Sequence, residues 1–297
     1  MDKIKNQLDV IKIFGVDAES FIQGQITNDI TLLSREEKSI YAGYCSPKGR
    51  LLAFFFINRI DTSYFLFCPP CISDTISKRL AMYVLRSKVE ITCSPEDVDY
   101  FLVDDSDIKK LPNNFSSIPQ SKMQSTLSHN KSVSITMLDG LKSYYFVFGN
   151  KKEITKLYDE IYSTEINPCN WNEVHIENII PNIFNETQDL YIPQSVNLDL
   201  IGAVNFKKGC YTGQEVVART HYLGKPKRRM YLGSFTSDRI PELGSDIKVG
   251  DEKIGSLVNY YQQKNDIFKL LVELRIEKLD ARPTLNGNEI LSLKMQY

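Results

Sequence analysis

"FKKGCYTGQEVVAR", residues 206–219, sets one cysteine among two lysines, two glycines, an amide and a carboxylate. Most cysteines of folded proteins act as small hydrophobes in apolar surroundings, and this one is placed otherwise. Thr212 and Glu215 have the S/T-x-x-E spacing of a capping box, which predicts a helix beginning at Gly213 and running through "QEVVARTHY". Cys210 then stands just ahead of a helix N-terminus, with Lys207 and Lys208 beside it. The partial positive charge of the helix end and two ammonium groups suit a reactive thiol. Gly209 and Gly213 let the backbone approach a ligand closely or turn with positive φ. The plain alternative is a tight strand-to-helix turn around an inert, buried cysteine. The density of Lys, Gly, Gln and Glu tips the reading toward chemistry.

Outward from this stretch, the chain of 297 residues exceeds the usual size of a single core, so two or three packed units are expected. Hydrophobic residues at 42% and charged residues at 25% exclude a mainly disordered chain. A formal net charge of −1 gives no general attraction to a polyanion, which excludes tight non-specific nucleic-acid binding by the chain as a whole. A local patch is a separate matter. Between 207 and 229 stand Lys207, Lys208, Arg219, Lys225, Lys227, Arg228 and Arg229 against the single acid Glu215, a cluster that is either a solvated face or a contact for an anionic tail or an RNA backbone.

The start, "MDKIKNQLDVIKIFG", lacks the apolar run and cleavage site of a secretory signal. The longest purely apolar stretch, "LLAFFFI" (51–57), is too short to span a bilayer, so a cytoplasmic protein with no membrane contact is expected. Six cysteines (45, 68, 71, 93, 169 and 210) are too sparse for a disulfide scaffold. The pair in "FCPPCIS" has C-x-x-C spacing, which fits a redox motif or a simple proline-made turn between strand and helix. His129, His175 and His221 lie far apart and share no ligand spacing, so no metal site is expected.

Strand-like runs stand at "DVIKIFG", "SIYAGYC", "LLAFFFI", "SYFLF" and "KVEIT". Helices are expected at "DAESFIQGQITNDI", capped by Asp17 with Phe21, Ile22, Gln25 and Ile26 buried, and at "SDTISKRLAMYVL", capped by Ser73 or Asp74. Residues 105–132 turn polar and read as an exposed connection with at most one short element. Strands at "SVSITML" and "SYYFVFG" and a helix at "KKEITKLYDEIYS" follow. From about residue 228, short strands separated by Gly, Pro, Asp and Asn predict a small antiparallel barrel or sandwich, with Phe268, Leu270, Val272, Leu274 and Ile276 alternating inward.

Taken in order, "GVDAESFIQGQITND", "CSPKGR", "YVLRSKV" and "YIPQSVNLDLIGAVNFKKGCYTGQEVVAR" resemble the YgfZ family, folate-binding relatives of the glycine-cleavage T-protein. The likeness runs in register from about residue 8 to the end, and its K-G-C-Y-x-G-Q-E signature spans Lys208 to Glu215. It implies an α+β, T-protein-like (aminomethyltransferase) fold. Two α/β units, about 1–104 and 105–226, form a folate-binding region over 1–226, and a C-terminal antiparallel β-barrel occupies 227–297. It further implies tetrahydrofolate, or another folate, as ligand, and a part in iron–sulfur cluster assembly or repair. Through cluster enzymes such as a tRNA methylthiotransferase, an indirect partner, it implies a part in tRNA methylthiolation, with tRNA contact allowed through 219–229.

By residue match, the resemblance makes Cys210 the residue on which activity depends, with Lys208 as its cationic neighbour. Trp171 becomes a ligand contact, and Leu8 stands where the family has an aromatic. Tyr211, Gln214, Glu215 and Arg219 complete the cofactor-binding set, and a folate needs such an apolar wall, an amide or carboxylate for the pterin and a cation for its tail. Ala53 and Phe54 fall where the T-protein carries acids, so ordinary aminomethyl transfer loses its proton-transfer agent. A one-carbon transferase using some other acid, and a tRNA-binding protein, stay open as alternatives.

Overall fold

A computed structural model of the chain describes residues 7–111, 115–140, 142–162, 169–264, 266–279 and 281–295. Five strands, β1 (Asp9–Phe14), β2 (Ile40–Cys45), β3 (Leu51–Ile60), β4 (Ser63–Cys68) and β5 (Glu90–Cys93), form an antiparallel-rich sheet in the order β2-β3-β4-β1-β5. A second, four-stranded sheet holds β6 (Val98–Asp104), β7 (Ser125–Leu127), β8 (Val133–Met137) and β9 (Tyr144–Asn150) in the order β6-β9-β8-β7. The third is a nearly closed C-terminal barrel of β10 (Arg228–Thr236), β11 (Asp246–Val249), β12 (Glu252–Lys264), β13 (Ile267–Arg275), β14 (Thr284–Leu285), β15 (Asn288–Glu289) and β16 (Leu291–Lys294). The helices among the described residues are α1 (Ala18–Gln23), α2 (Leu32–Arg35), α3 (Pro70–Ala81), α4 (Lys151–Ile161), α5 (Trp171–Glu177) and α6 (Gln214–Tyr222). Among the described residues no helix is long and apolar enough to cross a membrane.

The chain divides into two compact bodies interleaved along its length. One comprises Met1–Gln23, Asp29–Tyr41 and Phe55–Val174; the other comprises Gly24–Asn28, Ala42–Phe54 and His175–Tyr297. Boundaries at 104 and 226, expected above, follow chain order instead. The barrel's first strand opens at Arg228.

Several elements differ from their expected bounds for local reasons. The first helix stops at Gln23, so Ile26 is buried not on a helical stripe but in an isolated bridge to Tyr44. Helix α3 starts at Pro70, with Pro69 as its cap position and no side-chain cap from Ser73 or Asp74. A proline at the first helical position gives up an N–H that has no partner there anyway, and its φ is already helical. The polar connection carries two short elements, a 3-10 turn at Ile108–Lys110 and β7. In the barrel, Phe268, Leu270, Val272 and Leu274 point into the core, but β13 ends at Arg275 and Ile276 is exposed.

The core of the first body is aromatic. Trp171, Phe56, Phe146 and Phe67 are each at most 1% exposed, and the Trp171 ring centroid lies 5.7 Å from Phe56 and 5.5 Å from Phe146. Such tilted and edge-on pairs each add about 0.5–1.5 kcal/mol to the burial of the rings themselves. Leu8, 3% exposed, is tied in by a hydrogen bond from its N–H to the Tyr100 hydroxyl (2.8 Å), and Gln7 Oε1 accepts from the Trp171 N–H.

In the second body, burial holds the His175 imidazole neutral, pushed down to about 3 from 6.5. The unfolded chain binds a proton at this site below 6.5 and the folded chain does not, so stability present above that pH is lost as pH falls toward 3. We expect unfolding free energy from denaturant titrations to drop by about 1.4 kcal/mol per pH unit more in the parent than in His175→Phe within that window. Equal slopes would mean the imidazole protonates freely in the folded state.

Candidate functional site around Cys210

The stretch 194–217, which contains the signature, belongs to the second body and is held at four places. Asn197 puts its side chain against β10, with Nδ2 donating to the Met230 carbonyl (2.8 Å) and Oδ1 accepting from the Met230 N–H (3.2 Å). Asp199 takes a two-pronged ion pair from Arg229 at 2.6 and 2.9 Å, both side chains 13% exposed. The Gln194 amide donates to the Val217 carbonyl of α6 (2.7 Å). Farther along, the loop closes over the segment Ile26–Asn28. Thr27 Oγ1 donates to the Ala203 carbonyl (2.7 Å), its carbonyl accepts from the Asn205 N–H (2.9 Å), and Asn28 Nδ2 donates to the Gly202 carbonyl (2.9 Å).

Lys208 completes this clasp. Its Nζ donates to the carbonyls of Ile26 (2.7 Å) and Asn28 (2.8 Å) and lies 5.3 Å from the centre of the Tyr211 ring. The ammonium group thus fixes the loop two residues ahead of Cys210. Tyr211 is 7% exposed, and burial, with Cys45 nearby, pushes its hydroxyl up from the ordinary value.

Helix α6 starts at Gln214, within a residue of the position read from the sequence, yet the capping box is not formed. Gly213 occupies the cap position at φ 81°, ψ 3°, with no side-chain cap. The reason is a close approach. The turn Ser46–Gly49, closed by a 2.8 Å hydrogen bond from the Gly49 N–H to the Ser46 carbonyl, rests directly on Gly213. A Cβ at Gly213 would collide with the Ser46 carbonyl and come within 2.9 Å of Gly49 Cα, and one at Gly49, itself at φ 69°, would come within 2.7 Å of Val216 Cβ. The two glycines of "CSPKGR" and "CYTGQE" meet here, although they stand far apart in the chain. Gly209, in contrast, faces open space, with no atom within 4 Å of the place a Cβ would take.

Cysteines sort by burial. Cys45 and Cys68 are 1% exposed, and burial pushes the Cys45 thiol up to about 12 and the Cys68 thiol well above its ordinary value. Cys169 is raised to about 11, again chiefly by burial. Cys71, on the first turn of α3, and Cys210 are exposed. Among the described residues no group of His, Cys, Asp and Glu is placed to hold a metal ion.

The expected ligand residues fall in both bodies. Gln214 is half-buried on α6, where Glu215 and Arg219 are exposed. An amide, a carboxylate and a guanidinium are the polar groups that a pterin edge and an anionic tail call for, and α6 carries one of each. Trp171 and Leu8 instead sit in the aromatic core of the first body, and the indole has no open face. Ala53 and Phe54 are 0% and 2% exposed on β3, in apolar burial where the resemblance would put acids.

The basic cluster shrinks as well. Arg228 pairs with Glu273 (2.7 Å) and Arg229 with Asp199, and Lys208 serves the clasp. Lys207, Arg219, Lys225 and Lys227 stay outward without an ion-pair partner among the described residues. Sequence reasoning passed over the Ser46 hydroxyl bond to Asp189 (2.8 Å), the Asn197 clamp and a ring stack of Phe206 on His221. Nothing in the residue pattern signalled these three contacts in advance.

The architecture defines a protein of aminomethyltransferase-like α+β class. Its fold is similar to that of the glycine cleavage system aminomethyltransferase T from Bartonella henselae, with a TM-score of 0.72 over 98% of this chain and 83% of that one, at 13% identity. No family model matches the chain. In sequence it is 31% identical to the tRNA-modifying protein YgfZ of Aliivibrio fischeri (strain MJ11) and 32% identical to that of strain ATCC 700601 / ES114, in each case over 86% of this chain and 79% of the relative. Against the tRNA-modifying protein YgfZ of Hamiltonella defensa it is 30% identical over 84% and 74%. The chain belongs to the YgfZ family.

Because Gly213 needs a left-handed backbone and has no room for a side chain, Gly213→Ala is expected to cost at least about 1–3 kcal/mol in denaturant unfolding. Thr212→Ala should change it by less than about 0.5 kcal/mol, since no cap is lost. A loss of about 1 kcal/mol in Thr212→Ala would instead restore the capping box.

Proposed function

We propose that this chain is a folate-binding accessory protein that supports iron–sulfur cluster assembly or repair and thereby the methylthio modification of tRNA, with Cys210 as its reactive thiol. The observation that carries the reading is the setting of Cys210: an exposed thiol on a loop immobilised by the Lys208 clasp and by the Gly213 contact. A core cysteine needs no such scaffold, whereas a thiol that must meet a partner repeatedly in one geometry does. The names of the family relatives, tRNA-modifying proteins, support the cellular role.

A single thiol is too few to hold a cluster alone. Cys210 therefore acts with a partner, donating its sulfur as one of several ligands while the partner supplies the rest. Lys208 is a positioning residue in this scheme. Tetrahydrofolate, when bound, supplies a reduced pterin able to carry a one-carbon unit. The α6 residues Gln214, Glu215 and Arg219 would hold it, Arg219 through the anionic tail. The apolar burial of Ala53 and Phe54 favours an accessory role over aminomethyl transfer, because β3 offers no carboxylate for proton transfer at those positions.

In a strain lacking its own family member, the parent gene is expected to restore methylthiolated tRNA nucleosides, measured by mass spectrometry. Cys210→Ala should not restore them, while its thermal midpoint stays that of the parent. A Cys210→Ala protein that restores modification would sink the reactive-thiol reading. Separately, calorimetric titration with tetrahydrofolate should give saturable binding that Arg219→Ala weakens by about tenfold, as loss of one charge-assisted contact implies. Unchanged affinity in Arg219→Ala would remove α6 from the folate site.

A further inference from the structure

Helix α6 and the loop that follows it carry a surface that neither the thiol nor the folate donors use. The Phe206 and His221 rings stack face to face, 3.6 Å between centroids and 9° from parallel. Tyr222 stands edge-on to both, its ring 4.8 Å from His221 and 6.3 Å from Phe206. The surface is open: His221 is exposed, Tyr222 is 64% exposed and Leu223 82%. Aromatic clusters of this kind normally belong to a core, where burial of the rings stabilises them. Here His221 and Tyr222 face water, over a half-buried Phe206.

Charge selects the occupant. Lys207 adjoins Phe206 in sequence, and Lys225 and Lys227 follow Tyr222 on the loop after α6. All three are exposed and have no ion-pair partner among the described residues, and Glu215 is the only acid between 205 and 227. A parallel ring stack flanked by unpaired lysines matches a polyanion that also offers planar rings. A base with its π-face free can continue the stack while the neighbouring phosphates meet the ammonium groups. Duplex RNA offers the phosphates but keeps its bases stacked inside. An acidic protein segment offers charge without flat heteroaromatic rings.

We propose that Phe206, His221 and Tyr222, with Lys207, Lys225 and Lys227, form a contact site for an unpaired nucleobase and its flanking phosphates in a single-stranded loop of tRNA. The inference rests on the reading of this chain as acting in tRNA modification, and it names the surface and the part of the RNA that surface takes. Arg219 is left to the folate donors and has no part in it.

The test is fluorescence anisotropy of the full-length protein against three labelled probes: an unmodified tRNA transcript, a single-stranded RNA with the sequence of one of its loops, and a duplex of equal length. Binding of the tRNA and the single strand, with the duplex at least tenfold weaker, is expected. His221→Ala with Tyr222→Ala should weaken the single strand by about fivefold to a hundredfold, the span associated with losing one base–aromatic stack. Tyr222→Phe should keep most of the binding that Tyr222→Ala loses, since the ring is kept. Lys225→Gln with Lys227→Gln should lower the slope of log affinity on log salt by about 0.7 for each cation removed. Thermal melts of every variant exclude unfolding as the cause.

Equal affinity for duplex and single strand, ring variants that bind like the parent, or no RNA binding by the parent would each overturn the proposal, the last two outcomes leaving the surface to a protein partner. These outcomes are separable from the Cys210 reading. Restoration of tRNA modification by the parent gene but not by Cys210→Ala, alongside failed RNA binding, removes this surface alone.

Discussion

The contact on which the candidate site depends is the approach of Gly213 to the turn Ser46–Gly49. No side chain fits between them, and the backbone at Gly213 is left-handed as the chain enters α6. That single constraint sets where the helix begins, which residues stand on its first turn and where Cys210 is held relative to the β2–β3 turn. A helix begun by an ordinary side-chain cap would leave the preceding loop free to vary. A helix begun by close backbone packing fixes the loop as well.

Polar contacts finish what the glycines start. Lys208 commits its charge to two backbone carbonyls, Arg229 its fork to Asp199, and Asn197 both ends of its amide to Met230. Each group is at least partly buried and satisfied, as groups withdrawn from water must be. The result is a loop whose backbone is tied on both sides while its thiol stays in solvent. Charges that look alike in the sequence thus divide into an internal set that builds the scaffold and an external set, Lys207, Arg219, Lys225 and Lys227, that can meet a partner.

The first body makes a different use of its residues. Its aromatic core takes in Trp171, so the indole contributes to stability through Phe56 and Phe146. In the second body the exposed His221 and Tyr222, packed on a half-buried Phe206, show the reverse case of aromatic surface left in water. Burial sorts the cysteines in the same way, with Cys45 and Cys68 held as thiols in apolar surroundings and Cys210 kept outside.

Local pattern determined most strands and most helices, because alternation in "DVIKIF" or "FKLLVEL" and the periodicity of "KKEITKLYDEI" are properties of neighbouring residues, but β6 and the short β7, β14, β15 and β16 were not read from it. The signature around Cys210 was legible too, since its residue types are unusual for any core. What only the tertiary structure decided were relations between distant positions. That Gly213 serves as a contact and Thr212 does not cap follows from Ser46, far earlier in the chain; that Lys208 is a clasp follows from Ile26 and Asn28. Arg228 and Arg229 are paired rather than free because Glu273 and Asp199 face them, and Trp171 is core because Phe56 and Phe146 enclose it. Sequence specifies what a residue can do, and the choice among those possibilities is made by the partner that folding brings within reach.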